Sequence, residues 1–120
     1  MGNDESKRRR RNRQRAANEG ARALRLQELI REEVNLLLRG EIRDGRLDGV
    51  SITQVELNGD CARLWFSGPV ESEVGEALAG AAGFLRSRLT ESLGLKRTPD
   101  LRFRRDPATR KLDTNEEDLD

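Results

Sequence analysis

From Ala21 onward apolar residues recur at helical spacing: Leu26, Leu29, Ile30, Val34, Leu37 and Leu38 form one wide stripe, and charged residues fill the opposite face. The spacing predicts a first helix that ends near Arg43, with Gly45 placed to take the left-handed conformation that closes many helices. Val50 to Leu57 then reads as a strand rich in β-branched residues. Its alternation slips phase between Ile52 and Val55, which marks a bulge or a strand whose two ends face different neighbours. Asn58-Gly59 is a strong hairpin signal, because the favoured turn needs positive φ at both central positions, so a second strand from Cys61 to Ser67 follows at once. Ala62, Leu64 and Phe66 point to one face of that strand, Arg63 and Trp65 to the other. Gly68-Pro69 ends it.

The next apolar run carries an interruption. Val70, Val74, Ala77, Leu78 and Ala81 recur at helical spacing, and so do Phe84, Leu85, Leu89 and Leu93, yet Gly80 and Gly83 fall where the two sets meet. Two helices joined by a kink at Ala81-Ala82-Gly83 are expected, since Ala81 on one side and Phe84 and Leu85 on the other reach one core only if the axis turns between them. Gly94 closes the second helix, and Pro99 leads into a third strand with Leu101 and Phe103 inward and Arg102 and Arg104 outward. The expected order is αββααβ, an α+β domain with a three-stranded sheet packed on helices.

Composition narrows what such a domain can do. With 120 residues, 34% of them hydrophobic and 38% charged, the chain has room for one domain with a small core and no large substrate cavity. No apolar run is long enough to span a bilayer and no secretory leader pattern is present, so a cytoplasmic protein without a membrane partner is expected. The lone Cys61 has no disulfide partner and reads as a small buried filler. The chain contains no histidine, which removes the commonest general base and the commonest transition-metal ligand. Carboxylates such as Glu28, Glu32 and Glu33 lie beside Arg25 and Arg31 on a solvated helix face. No catalytic residues, no metal and no cofactor are expected, and a nuclease reading lacks an acid and base pair.

A net charge of +1 hides a strong asymmetry. Residues 1–22 hold eight basic groups against three acidic ones, whereas the last fourteen residues hold Arg110 and Lys111 against Asp113, Glu116, Glu117, Asp118 and Asp120. Neither end has apolar periodicity, so 1–20 reads as a disordered arginine-rich arm, 21–106 as the folded domain and 107–120 as a disordered acidic tail. The run Arg8, Arg9, Arg10 and Arg11 can neutralise phosphates with release of counterions, or serve as a solubilising tail.

Three stretches carry a resemblance to a known family. They are Glu41-Ile42-Arg43-Asp44-Gly45-Arg46-Leu47, the segment from Ala77-Leu78 to Leu89, and Thr98-Pro99-Asp100-Leu101-Arg102-Phe103 with Asp106. Together they resemble a type II KH-like domain and, more specifically, the ribosome-binding factor A family, over Arg22 to Asp106. In that family an Ala-x-Gly kink replaces the usual Gly-x-x-Gly loop, and Ala81-Ala82-Gly83 takes its place here. This chain has Gly45 where the family usually has proline and a shorter first hairpin, and its Gly80 makes a literal Gly-x-x-Gly with Gly83. The resemblance implies a non-enzymatic assembly factor that binds the immature small (30S) ribosomal subunit and assists late maturation and processing of 16S rRNA, especially at its 5′ end. It also implies a role in cold adaptation, monomeric action, and partners that include the subunit, its rRNA and an assembly GTPase. A charged protein–protein adaptor, or a general RNA-binding KH-like module not specific to ribosomes, is the alternative.

Two surfaces are candidates for RNA. Arg86 and Arg88, with Ala81, Ala82 and Gly83, would hold phosphates at a helix N-terminus beside the kink, unless they form a solvated helix face. Arg63, Trp65, Arg102 and Arg104 would share the uncovered sheet face if the third strand lies beside the first. They would stack and bind RNA there, or keep an open sheet soluble.

Overall fold

The computed structural model describes the backbone of residues 3–69 and 73–107, with the side chains of residues 3–12 and 14–16 outside that description. The expected acidic tail beyond Pro107 likewise lies outside the described residues. Helix α1 (Asn3–Gly40) and a 3₁₀ turn (Gly45–Leu47) precede a hairpin of β1 (Ser51–Asn58) and β2 (Cys61–Ser67), and helix α2 (Glu73–Leu93) leads to β3 (Asp100–Arg105).

Alternation along the strands decides which face of the sheet is covered. Ala62, Leu64 and Phe66 of β2 are buried, together with Ile52 and Val55 of β1, and Leu101 and Phe103 of β3 pack against them from the same side. Both helices cover that side. α1 buries Ile30, Val34, Leu37 and Leu38, and α2 buries Val74, Ala77, Leu78, Leu85 and Leu89. The sheet order is β1-β2-β3, with β1 antiparallel and β3 parallel to the central β2. This corrects the expectation that β3 lies beside β1. The parallel crossover is made by α2, as a parallel pair requires.

The phase slip in β1 is a bulge. Ile52 pairs with Phe66 and Gln54 with Trp65, so Thr53 is the extra residue, and Ile52 and Val55 both face inward despite their odd spacing. α1 holds this edge strand through two amide side chains. Asn35 Nδ2 donates to the Ile52 carbonyl at 3.0 Å and its Oδ1 accepts from the Ile52 N–H at 2.7 Å, while Gln27 Oε1 accepts from the Leu57 N–H at 3.0 Å. Backbone groups that would otherwise form an unpaired sheet edge are thereby satisfied.

Several local expectations are corrected. The hairpin loop is Gly59-Asp60, with Asn58 paired to Cys61; only Gly59 has positive φ, at 61°, the pattern of a type II′ rather than a type I′ turn. α1 ends at Gly40, where the Glu41 and Ile42 N–H groups both donate to the Leu37 carbonyl. Gly45 is not left-handed and instead opens the 3₁₀ turn, which Asp44 caps by accepting the Arg46 N–H at 3.0 Å. The Arg46 side chain also donates to Asp44, and these hydrogen bonds hold the Asp44 carboxyl below the usual carboxylate range. α1 has helical backbone from Asn3, through the stretch that holds the arginine-rich arm. Arg, Lys, Gln and Ala are good helix formers, and Asn3 to Glu19 contains no glycine or proline.

The division into two helices is also corrected. α2 is one uninterrupted helix through Ala81, Ala82 and Gly83. Leu78, Ala81, Leu85 and Leu89 continue a single core-facing stripe, and Phe84 falls off that stripe and stays 44% exposed. A Cβ on Gly83 or Gly80 would meet nothing within 4 Å. Gly68 is the glycine in close quarters: its φ is +148°, and a Cβ there would come within 3.1 Å of the Val50 Cα.

This geometry makes two predictions about stability. Asn35→Ala leaves both backbone groups of Ile52 without their amide partner and should cost about 1–3 kcal/mol, read as a lowered urea midpoint; an unchanged midpoint would show that water replaces the amide. Gly83→Ala should stabilise by about 0.5–1 kcal/mol because position 83 is an exposed helix interior. Gly68→Ala should destabilise, and thermal unfolding of the two variants must give shifts of opposite sign.

Candidate nucleic-acid interface

The outward positions of β2 and β3 come into direct register, Arg63 opposite Arg102 and Trp65 opposite Arg104. All four expected face residues therefore form one block on the side of the sheet that the helices leave bare. Arg102 and Arg104 are exposed, and Arg63 and Trp65 are half-buried. The Arg63 guanidinium carbon stands 5.7 Å from the Trp65 ring centroid, a cation–π approach. β1 adds Gln54 opposite Trp65 and Glu56 opposite Arg63. Among the described residues no ion pair engages Arg63, Arg102 or Arg104. Cys61, expected as a buried filler, is half-buried at the start of β2, in the same outward phase as Arg63.

Along the free edge of β3 an open groove of about 430 Å³ separates the strand from α2. Leu101, Arg102, Phe103 and Arg104 form one wall, and Gly75, Ala79 and Ala82 the other. Small residues at i, i+4 and i+7 keep that helix face low, so the strand edge stays open. Arg102 and Arg104 thus border both the groove and the bare sheet face. Gly75, Ala79 and Gln54 were not among the sequence candidates, although the i, i+4, i+7 spacing of small residues was a readable signal for the first two.

The other expected cluster does not assemble. Arg86 donates from Nε to the Pro99 carbonyl at 3.2 Å and from Nη2 to the Thr98 carbonyl at 3.3 Å, and pairs with Asp100 at 3.5 Å. It ties α2 to the approach of β3, helped by Thr90 Oγ1, which donates to the Arg86 carbonyl at 2.9 Å and also meets the Thr98 hydroxyl. Arg88 lies on a different face, paired with Glu41 at the end of α1 at 2.8 Å and with Glu91 at 3.4 Å. No helix begins at Gly83, so no free N–H groups gather there. Ala81 is half-buried against the core and Gly83 is exposed. Arg8, Arg9, Arg10 and Arg11 fall in the first turns of α1, and their side chains lie outside the described residues. Among the described residues no group of His, Cys, Asp or Glu is placed to hold a metal ion, and no helix is long and apolar enough to cross a membrane.

Comparison with known proteins fits this arrangement of a bulged sheet and two helices. The family model described as ribosome-binding factor A matches residues 22–119. The chain belongs to the ribosome-binding factor A family. The ribosome-binding factor A of Ruthia magnifica is 41% identical over 92 residues, covering 73% of this chain and 82% of that protein. The crystal structure of ribosome-binding factor A from Thermus thermophilus superimposes with a TM-score of 0.65 at 21% identity, covering 69% of this chain and 93% of that one. A homology model of the Thermus thermophilus ribosome-binding factor A, fitted into a cryo-EM map of its complex with the 30S subunit, gives a TM-score of 0.62 at 20% identity, with 72% and 97% covered. The type II KH-like fold expected from the sequence is thus that of ribosome-binding factor A. The match starts at residue 22, so residues 1–21 lie outside the part of this chain that the family model describes.

The arginines divide by role, and the division is measurable. Arg86→Ala removes two hydrogen bonds to backbone carbonyls and should lower stability by about 1 kcal/mol. Arg102→Ala and Arg104→Ala should stay within about 0.5 kcal/mol of the parent. Chemical denaturation that ranked them in the reverse order would return Arg86 to the set of free surface cations.

Proposed function

We propose that this protein is a cytoplasmic, non-enzymatic assembly factor that binds the immature 30S subunit as a monomer. It assists late maturation of 16S rRNA, especially at the 5′ end. The observation that carries the reading is the register of β2 and β3, which sets Arg102 and Arg104 beside Arg63 and Trp65 on a bare sheet face bordered by an open groove. Family membership supports it, as does the relative from Thermus thermophilus placed in a 30S complex.

A single RNA strand runs along the β3 edge in this reading. Arg102 and Arg104 neutralise its phosphates, and Trp65 offers a ring face for one base, worth about 1–3 kcal/mol per stacked base. Arg86 and Arg88 act through the scaffold and touch no phosphate. Arg8 to Arg11 lie outside the family match and add a salt-sensitive, sequence-independent contribution. Binding without turnover suits RNA that misfolds in the cold, and an assembly GTPase supplies the energy for release.

Gradient sedimentation of cell extract tests the reading. The full chain should travel with free small subunits and be absent from translating ribosomes. Arg102→Glu combined with Arg104→Glu should reduce that association at least tenfold with folding intact, while removal of residues 1–20 should flatten the salt dependence and keep the preference for small subunits. Wild-type association of the double glutamate variant would move the interface off β3, and association that survives RNase digestion would favour a protein–protein adaptor.

A further inference from the structure

The two edges of the sheet are treated differently. On the β1 side, Asn35 and Gln27 engage backbone groups of the edge strand. On the other side β3 ends the sheet, and among the described residues no strand lies beyond it. Two hydrogen bonds show which of its backbone groups face outward. The Asp100 N–H donates to the Asp60 carbonyl at 2.9 Å and the Asp106 N–H to the Phe66 carbonyl at 2.8 Å, so the even-numbered residues turn their N–H and carbonyl groups toward β2. Those of Leu101, Phe103 and Arg105 therefore point away from the sheet, one donor and acceptor together about every 6.6 Å. Such an edge is a template for another extended chain.

Side chains on either side of the edge define what that chain must carry. On the covered side Leu101 and Phe103 are only half-buried, whereas Ala62 and Leu64 of the central strand are buried completely. Across the groove from them stand Gly75, Ala79 and Ala82, which leave room for the side chains of an occupant. Apolar contact is thus on offer at every second residue of an added strand. On the bare side the edge carries Asp100, Arg102, Arg104 and Asp106 in that order. Asp100 pairs with Arg86 and Asp106 accepts from Thr53, while among the described residues no ion pair engages Arg102 or Arg104. Acidic residues fit the middle of an added strand, and basic ones its ends.

This alternation is a property of polypeptide. A nucleic acid strand supplies the anionic charge but no apolar side chains at a two-residue period, so it leaves the groove wall of Leu101, Phe103, Ala79 and Ala82 unused. A second copy of β3, laid antiparallel over its whole length, would set Arg102 against Arg104 and Asp100 against Asp106. Like charges then oppose one another at each of those positions.

We propose that β3 and α2 form a docking groove for an extended segment of a partner protein, which joins the sheet as an antiparallel fourth strand. Its apolar residues lie over Gly75, Ala79 and Ala82, and two acidic residues stand beside Arg102 and Arg104. Main-chain hydrogen bonds supply affinity and the alternating side chains supply selectivity. The inference stands apart from the RNA reading, which uses neither the outward backbone groups nor the groove wall. Arg102 and Arg104 are common to both, so a docked segment and an RNA strand exclude one another.

The probe is the synthetic peptide acetyl-Lys-Val-Glu-Val-Glu-Val-Lys-amide, whose charge pattern reads alike in both directions. Its control exchanges every Lys and Glu, which keeps the composition. Amide exchange in the isotope-labelled full chain, followed by NMR, is the readout. The probe should slow exchange of the Leu101, Phe103 and Arg105 amides and change little at Arg102 and Arg104, which already bond to β2. The control should bind about tenfold more weakly, because four cross-strand charge pairs reverse sign. Ala79→Gln, at an exposed helix position, should keep the melting temperature of the parent and weaken the probe.

A probe that fails to bind, binds no better than its control, or binds without protecting those three amides overturns the proposal. Undiminished binding to the Ala79→Gln variant also overturns it, because the peptide would then lie outside the groove. Dimers of the free chain with the same amides already protected would assign the edge to a second copy. Protection by a twelve-nucleotide oligouridylate and not by the probe would give the edge to RNA, which removes this inference and leaves the RNA reading of the bare face standing.

Discussion

The grip of Asn35 on Ile52 is the contact through which helix and sheet set each other's position. One amide satisfies both the N–H and the carbonyl of a residue on the free edge of β1, and it does so next to the bulge. With Ile52 held, Thr53 becomes the extra residue and Val55 returns to the core side. The same grip brings Ile30, Val34 and Leu37 of α1 over the buried face. A helix docked on apolar contacts alone could slide along the strand, because such contacts are non-directional. Two amides, at Gln27 and Asn35, fix its register.

With both helices committed to one face, the other is left for the outside world. Proteins usually protect such a surface, or an open strand edge, by charge or by covering it. Here the protection is arginine, and the small residues of α2 keep the neighbouring groove from closing. The arginines that could have joined this surface from α2 are used instead to position it. Arg86 fixes the carbonyls of Thr98 and Pro99 immediately before β3 begins, so the register of Arg102 and Arg104 against β2 depends on a residue that faces neither.

The parts of this architecture that were legible in the sequence are those decided within a few residues. The hairpin, the inward phase of Ala62, Leu64 and Phe66, the outward phase of Arg63 and Trp65, and the slip at Ile52 are properties of local alternation. Gly94, with φ of 63°, closes α2 as its position implies. The misreadings share a cause: each depended on a partner distant in sequence or on weighing a weak propensity against packing. Two glycines weaken a helix by only about 1 kcal/mol each, less than the burial of Leu78, Leu85 and Leu89 along one stripe. Arg86 and Arg88 looked alike in sequence because their partners, Pro99 and Glu41, lie on other elements. The place of β3 beside β2 is likewise a tertiary choice, although its inward Leu101 and Phe103 were readable.

The ends of the chain emerge from opposite poles of an elongated molecule whose longest dimension is 70 Å. Arginine is concentrated on the helix that projects past the hairpin. Such a molecule is an electric dipole even though its net charge is only +1. In the field of a polyanion it experiences a torque before it experiences much attraction, so it arrives helix first, with the sheet trailing. Its encounters with RNA are oriented before any contact is made.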